Sequence, residues 1–144
     1  TFSLMTTEAA GQEYVETVVR VRYAETDQMG VAYYANYFVW FEVGRSAWCH
    51  ARGFSYREME EKEGRMLVVA EANCRYKEPA RYDDEILIRT TIAGASEKVI
   101  RFAYELRNKR TDSLLAMGET IHVITDAQMQ SERLPKRFRA YFGL

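Results

Sequence analysis

The longest regular pattern in this chain is helical, and it is apolar around most of its circumference. From Asn36, read as the N-cap, the residues Tyr37, Trp40, Phe41, Gly44, Ala47, Trp48 and Ala51 return at helical spacing. Gly53 stands where a left-handed residue closes such a helix. A helix of this kind has to be enclosed rather than laid on a surface. The material available to enclose it is strand. Residues 15–23 alternate, with Val15, Thr17, Val19, Val21 and Tyr23 on one face. After a short charged segment at 55–63, closed by Gly64, four β-rich runs follow at 66–76, 86–93, 99–107 and 114–125. In the third of these Ile100, Phe102, Tyr104 and Leu106 alternate with Val99, Arg101, Ala103, Glu105 and Arg107. Gly94-Ala95-Ser96 and residues 109–112 mark hairpin turns, and a tail helix after Pro135 is expected to bury Phe138, Tyr141 and Phe142.

The order is therefore strand, long helix, then a four-stranded meander in an α+β chain. An antiparallel sheet wrapped around one central helix buries both the helix and one sheet face. That is the hot-dog arrangement; the alternatives are other sheet-and-helix pockets of the cystatin-like or NTF-like kind. With 144 residues and no repeats or linkers, one domain spanning 1–144 is expected, with 1–13 a flexible N-terminal segment.

Charge narrows the function. Twenty basic and 21 acidic residues give a net charge of -1, so no electrostatic footprint for nucleic acid or anionic membrane is expected. The longest apolar stretch, around 31–41, is far short of the ~20 residues a spanning helix needs. No signal-peptide pattern opens the chain, which reads as soluble and cytoplasmic. Cys49 and Cys74 have neither C-x-x-C nor Cys/His metal spacing and read as reduced, buried thiols, with no metal site.

The chemistry concentrates in residues 23–37. Asp27 stands in a tight turn just ahead of the helix start. A helix N-terminus offers unpaired N–H groups and a partial positive charge. A carboxylate beside such donors can act at a carbonyl while the donors hold the oxyanion that forms. The structural alternative is that Asp27 only caps its turn. Gly30 supplies a positive φ or a close backbone approach, and Asn36 and Tyr37 hold the geometry. Glu42, on the helix, is the rival carboxylate, although an i,i+3 ion pair with Arg45 accounts for it more simply. His50 and His122 belong to no dyad, and Ser46 has no His/Asp partners.

The pattern Tyr23-x-Glu25-Thr26-Asp27-x-x-Gly30-Val31-x-Tyr33-Tyr34-x-Asn36-Tyr37, followed by Phe41-Glu42 and Arg45, resembles the hydroxybenzoyl-CoA thioesterase family of hot-dog enzymes, and its YbgC-like acyl-CoA thioesterases in particular. A weaker echo is Tyr76 followed by the polar turn Ala80-Arg81-Tyr82-Asp83-Asp84. The resemblance runs over about 15–125. It implies hydrolysis of a short-chain or aromatic acyl-CoA, with Asp27 as nucleophile or general base and the backbone N–H of Tyr34 as oxyanion donor. Many YbgC-like members carry histidine at the Tyr34 position, while the hydroxybenzoyl-CoA enzyme carries tyrosine; a backbone donor survives that change. Substrate contacts are expected from Gly30, Val31, Tyr33, Asn36, Tyr37, Met66 and Val68, and no cofactor is implied beyond the CoA of the substrate. Phosphate contacts are expected from among Arg75, Lys77, Arg81, Arg107, Lys109 and Arg110. The resemblance further implies a homodimer joined at its sheet edges, often paired into a homotetramer. Rival functions are an acyl-carrier-protein thioesterase, a hydratase, which the lack of histidine near Asp27 disfavours, and a non-catalytic acyl-CoA or small-ligand binding module.

Overall fold

In the computed structural model, which describes residues 2–7 and 12–144 with side chains from Tyr14 onward, one long helix is enclosed by one antiparallel sheet. Strand β1 (Phe2–Thr7) pairs with β2 (Gln12–Arg20); the chain then crosses a single 3-10 turn (Tyr23–Glu25) and a loop to helix α1 (Asn36–Arg52). A short helix α2 (Tyr56–Glu63) leads into β3 (Met66–Tyr76), β4 (Glu85–Ala95), β5 (Val99–Asn108) and β6 (Leu114–Thr125), and α3 (Lys136–Arg139) closes the chain with a 3-10 turn (Ala140–Phe142). The strand order across the sheet is β1-β2-β4-β5-β6-β3. This is the hot-dog arrangement expected from the pattern.

Helix α1 buries Tyr37, Trp40, Phe41, Gly44, Ala47, Trp48 and Cys49, and packs mainly over β2 and β4. Its C-terminus ends on Gly53 in the left-handed conformation. Ser55 caps α2 by accepting the Glu58 N–H at 3.1 Å. Period-two alternation decides the sheet faces: Ile86, Ile88 and Thr90 of β4, and Ile100, Phe102, Tyr104 and Leu106 of β5, are buried against the helix. Phe41 stacks on Tyr104 with ring centroids 4.3 Å apart and planes 6° from parallel. Phe138 and Phe142 of the tail are buried and Tyr141 is half-buried.

Within the stretch 1–13, Phe2–Thr7 form a strand, and residues 1 and 8–11 lie outside the described residues. Several expectations are corrected. Strand β2 ends at Arg20, and Tyr23, expected to share a strand face with Val15 and Val21, is exposed in the 3-10 turn. Only β4, β5 and β6 form a meander; β3 pairs with β6 at the sheet's far edge. Cys49 is buried but Cys74 is only half-buried, and both thiols are free. Glu42 is exposed and makes no ion pair with Arg45 among the described residues.

Arg45 turns inward instead, beside a polar chain in the core. The Tyr104 and Thr120 hydroxyls are 2.6 Å apart, and Thr120 Oγ1 is 2.8 Å from His122 Nε2. Burial first, and the Arg45 guanidinium second, push the His122 imidazole down to about 4. The unfolded chain therefore takes up a proton near pH 6.5 that the folded chain refuses until about pH 4. Stability from this group is present above pH 6.5 and is lost as pH falls toward 4. Wild type is expected to lose about 2 kcal/mol more than His122→Gln between pH 7 and pH 5, measured by urea unfolding. Equal losses in the two proteins would contradict this.

Candidate active site

The chain between β2 and α1 folds back on itself. Thr26 and Ala32 pair as an isolated antiparallel bridge. Inside it the Asp27 N–H donates to Val31 O at 2.8 Å and the Gly30 N–H donates to Asp27 O at 3.0 Å. Gly30 has φ 83°, and a Cβ there would meet nothing within 4 Å, so its need is conformational and not spatial. Asp27 is half-buried, and its Oδ1 accepts the Met29 N–H at 2.9 Å. The turn-capping role is thus real but occupies one oxygen. Oδ2 accepts no hydrogen bond among the described residues.

Helix α1 begins a few residues on. Ala35, not Asn36, is its N-cap, with helical φ and ψ and no side-chain cap. The N–H groups of Asn36, Tyr37 and Phe38 donate to the carbonyls of Tyr33, Tyr34 and Ala35 at 2.9, 3.3 and 3.2 Å. Those of Tyr34 and Ala35 have no acceptor among the described residues. No acidic side chain stands in the first turn, so the positive end of the helix dipole is uncompensated by its own residues.

The two limbs of the loop meet at Glu25, whose carbonyl accepts both the Tyr33 N–H and the Asn36 Nδ2–H at 2.8 Å. This explains why Asn36 does not cap: its amide is already committed. The Tyr76 hydroxyl, at the end of β3, donates to Tyr34 O at 3.0 Å. Tyr37 is buried, and its hydroxyl accepts the Ala80 N–H at 3.2 Å, while Ala80 O accepts the Ala32 N–H at 2.8 Å. The polar turn after β3 is therefore a wall of the same site. The rings of Tyr33 and Tyr34 lie 4.7 Å apart, and those of Tyr37 and Tyr76 4.9 Å apart. Burial, followed by the Cys74 thiol, raises the Tyr76 phenol above its usual value, so it remains a donor at neutral pH.

The structure thus brings together Asp27, Gly30, Val31, Tyr33, Tyr34, Asn36 and Tyr37. It adds Glu25, Tyr76 and Ala80, which sequence reasoning did not place in the site, although the echo at Tyr76 and Ala80 was a signal. Met66 and Val68 do not join them within one chain. Tyr76 is the end of β3 that touches Tyr34, and these two residues stand roughly 33 and 26 Å away along the strand. His122 lies in the core network and His50 is exposed on α1.

A groove of about 1050 Å³ lies on the sheet face opposite the helix, lined by Arg75, Arg89, Arg107, Glu105 and Glu119 among others, and it does not include the Asp27 loop. Two of the expected phosphate cations, Arg75 and Arg107, face it, but Arg107 is 3.6 Å from Glu105. Lys109 pairs with Glu85 at 3.8 Å. Among the described residues no cluster of acidic, His or Cys side chains could hold a metal ion, and no helix is long and apolar enough to cross a membrane.

Comparison with known proteins places the chain in a family. Residues 21–142 match the model of the thioesterase-like superfamily. The chain is 36% identical over 124 residues to YneP of Bacillus subtilis, covering 86% of each protein. It is 32% identical over 125 residues to the Escherichia coli acyl-CoA thioester hydrolase YbgC, covering 86% of this chain and 92% of that one. The fold superposes with a TM-score of 0.83 on the DHNA-CoA thioesterase of Staphylococcus aureus, at 33% identity over 90% of this chain and 87% of that structure.

Proposed function

The chain belongs to the thioesterase-like superfamily and is a thioester hydrolase; we propose that it cleaves a short-chain or aromatic acyl-CoA to the free acid and CoA with Asp27 at the centre of the reaction. The observation that carries this reading is that one carboxylate oxygen, Asp27 Oδ2, and the N–H groups of Tyr34 and Ala35 just ahead of α1 have no hydrogen-bond partner among the described residues. Attack on the thioester carbonyl carbon, by Oδ2 or by a water whose proton Oδ2 takes, pushes an electron pair onto the carbonyl oxygen. The Tyr34 N–H, helped by the helix dipole, stabilises that charge. Losing one such donor costs about 10²–10³ in kcat in an enzyme where it has been measured. Collapse of the adduct breaks the C–S bond and expels the thiolate, which takes the proton held by Asp27 in the water route or one from solvent in the direct route, where water then hydrolyses the acyl-Asp27 anhydride.

Tyr33, Tyr34, Tyr37 and Tyr76 form an aromatic wall suited to an apolar or aromatic acyl group. The site also has an open side. β3 is an eleven-residue edge strand, and Val69 on it is 45% exposed. Such an edge is a template for another strand, and pairing it with β3 of a second copy makes the homodimer. An antiparallel pairing would set the Met66–Val68 end of one strand beside the Tyr76 end of the other, which is how those two residues would reach a substrate. Of the cations expected to meet CoA phosphates, Arg81 follows Ala80 in the wall of the site, whereas Arg75 and Arg107 face the groove on the other side of the sheet.

The test is free-thiol release from a panel of short-chain, long-chain and aromatic acyl-CoAs. Release from short-chain or aromatic members supports the reading. Saturable binding with no release from any of them would favour a binding module and overturn it.

A further inference from the structure

We propose that Glu25 is a positioning residue for the reaction: its buried carboxylate locks the loop that carries Asp27 to helix α1, just ahead of which stands the oxyanion donor. Glu25 is only 7% exposed. Its Oε1 accepts the Arg22 N–H at 2.8 Å, and its Oε2 accepts the Trp40 Nε1–H at 3.3 Å. The Arg22 guanidinium supplies an ion pair at 3.4 Å from the solvent side. Removing a carboxylate from water is costly unless such donors replace the water, so a purely structural position could be filled more simply by an apolar residue. Here the carboxylate binds two separate pieces of chain, and the backbone carbonyl of the same residue a third. Arg22 precedes the loop, Trp40 lies one turn into α1, and the Glu25 carbonyl holds Tyr33 and Asn36. Thr26, the next residue, is one foot of the bridge that encloses Asp27. The distance between the Asp27 carboxylate and the Tyr34 N–H is therefore set through Glu25, which touches no reacting atom itself.

The inference rests on the role of Asp27 above, and the test separates the two. Kinetics on an acyl-CoA that wild type hydrolyses are compared for Glu25→Gln, Glu25→Ala, Asp27→Asn and Glu25→Gln/Asp27→Asn, with Tm recorded for each. Glu25→Gln keeps the side-chain length but turns one acceptor into an amide NH₂ facing a donor. Its kcat is expected to fall about 10- to 100-fold, the scale of a misplacement near 1 Å, with KM little changed, and Glu25→Ala should fall further. In the Asp27→Asn background the same change should leave the residual kcat unaltered, because Glu25 acts through Asp27. An unchanged kcat in folded Glu25→Gln would overturn the inference, as would a rise in KM alone or an equal loss in both backgrounds. If Glu25→Gln does not fold, Trp40→Phe removes only the Oε2 donor and is expected to lower kcat with KM unchanged; full kcat there overturns the inference equally. Retained turnover in Asp27→Asn would instead overturn the reading of the site itself.

Discussion

Gly118→Ala is expected to lower stability by about 3 kcal/mol, the upper range for overpacking, and Tm by roughly 10 °C. A Cβ at Gly118 would lie 2.2 Å from the backbone O of Asn73 and 2.9 Å from two ring carbons of Phe41. The first contact is with backbone of the neighbouring strand, so no rotamer change relieves it. The second presses on the Phe41 ring, which is already stacked on Tyr104 at 4.3 Å. Either β3 separates from β6 or the helix lifts from the sheet, and both lose packing across the core. Gly94→Ala is the matched control, because its added carbon meets only Arg101 Cδ at 3.5 Å, and its stability should change little. Urea unfolding of the three proteins checks this; equal midpoints for wild type and Gly118→Ala would contradict the packing described.

The sheet faces were legible because β4, β5 and β6 alternate with period two and are joined by turn residues. Strand content is a local signal; partner choice is not. β3 is as β-rich as its neighbours, yet nothing in residues 66–76 says that it pairs with β6 rather than β4. The end of β2 was misread for a similar reason. Tyr23 suits a strand, but the Glu25 carboxylate captures the Arg22 N–H and winds the chain into a 3-10 turn. Asn36 has the chemistry of an N-cap, and the Glu25 carbonyl, eleven residues earlier in the chain, took its side chain first. The spacing of Glu42 and Arg45 permits an ion pair, but Arg45 is drawn toward Tyr104 and His122 in the interior. The Asp27 loop itself was readable because it is one contiguous block. Tyr76 and Ala80 come to it only through the course of β3, which a linear reading cannot supply, and the same strand carries Met66 and Val68 to the other end of the molecule.

Asp27→Asn should have the largest effect on turnover of any single change in the loop. The amide keeps an oxygen that can accept the Met29 N–H, so the turn with its Thr26–Ala32 bridge should persist. What disappears is the unbonded carboxylate oxygen, and with it both a nucleophile and a base. Removing a positioned proton-transfer group costs about 10²–10⁴ in rate, whereas a residue that only caps a turn would keep its turnover on changing to Asn, which caps as well. The two possible roles of Asp27 therefore separate cleanly: catalysis predicts lost kcat at constant Tm, and capping alone predicts constant kcat.

The deciding measurement is free-thiol release under saturating acyl-CoA by wild type and Asp27→Asn side by side, with Tm taken on the same preparations. The site described here predicts a kcat reduced by about 10²-fold or more and a Tm unchanged within a few degrees. An Asp27→Asn protein that hydrolyses the same acyl-CoAs to within about twofold of the wild-type rate would contradict it.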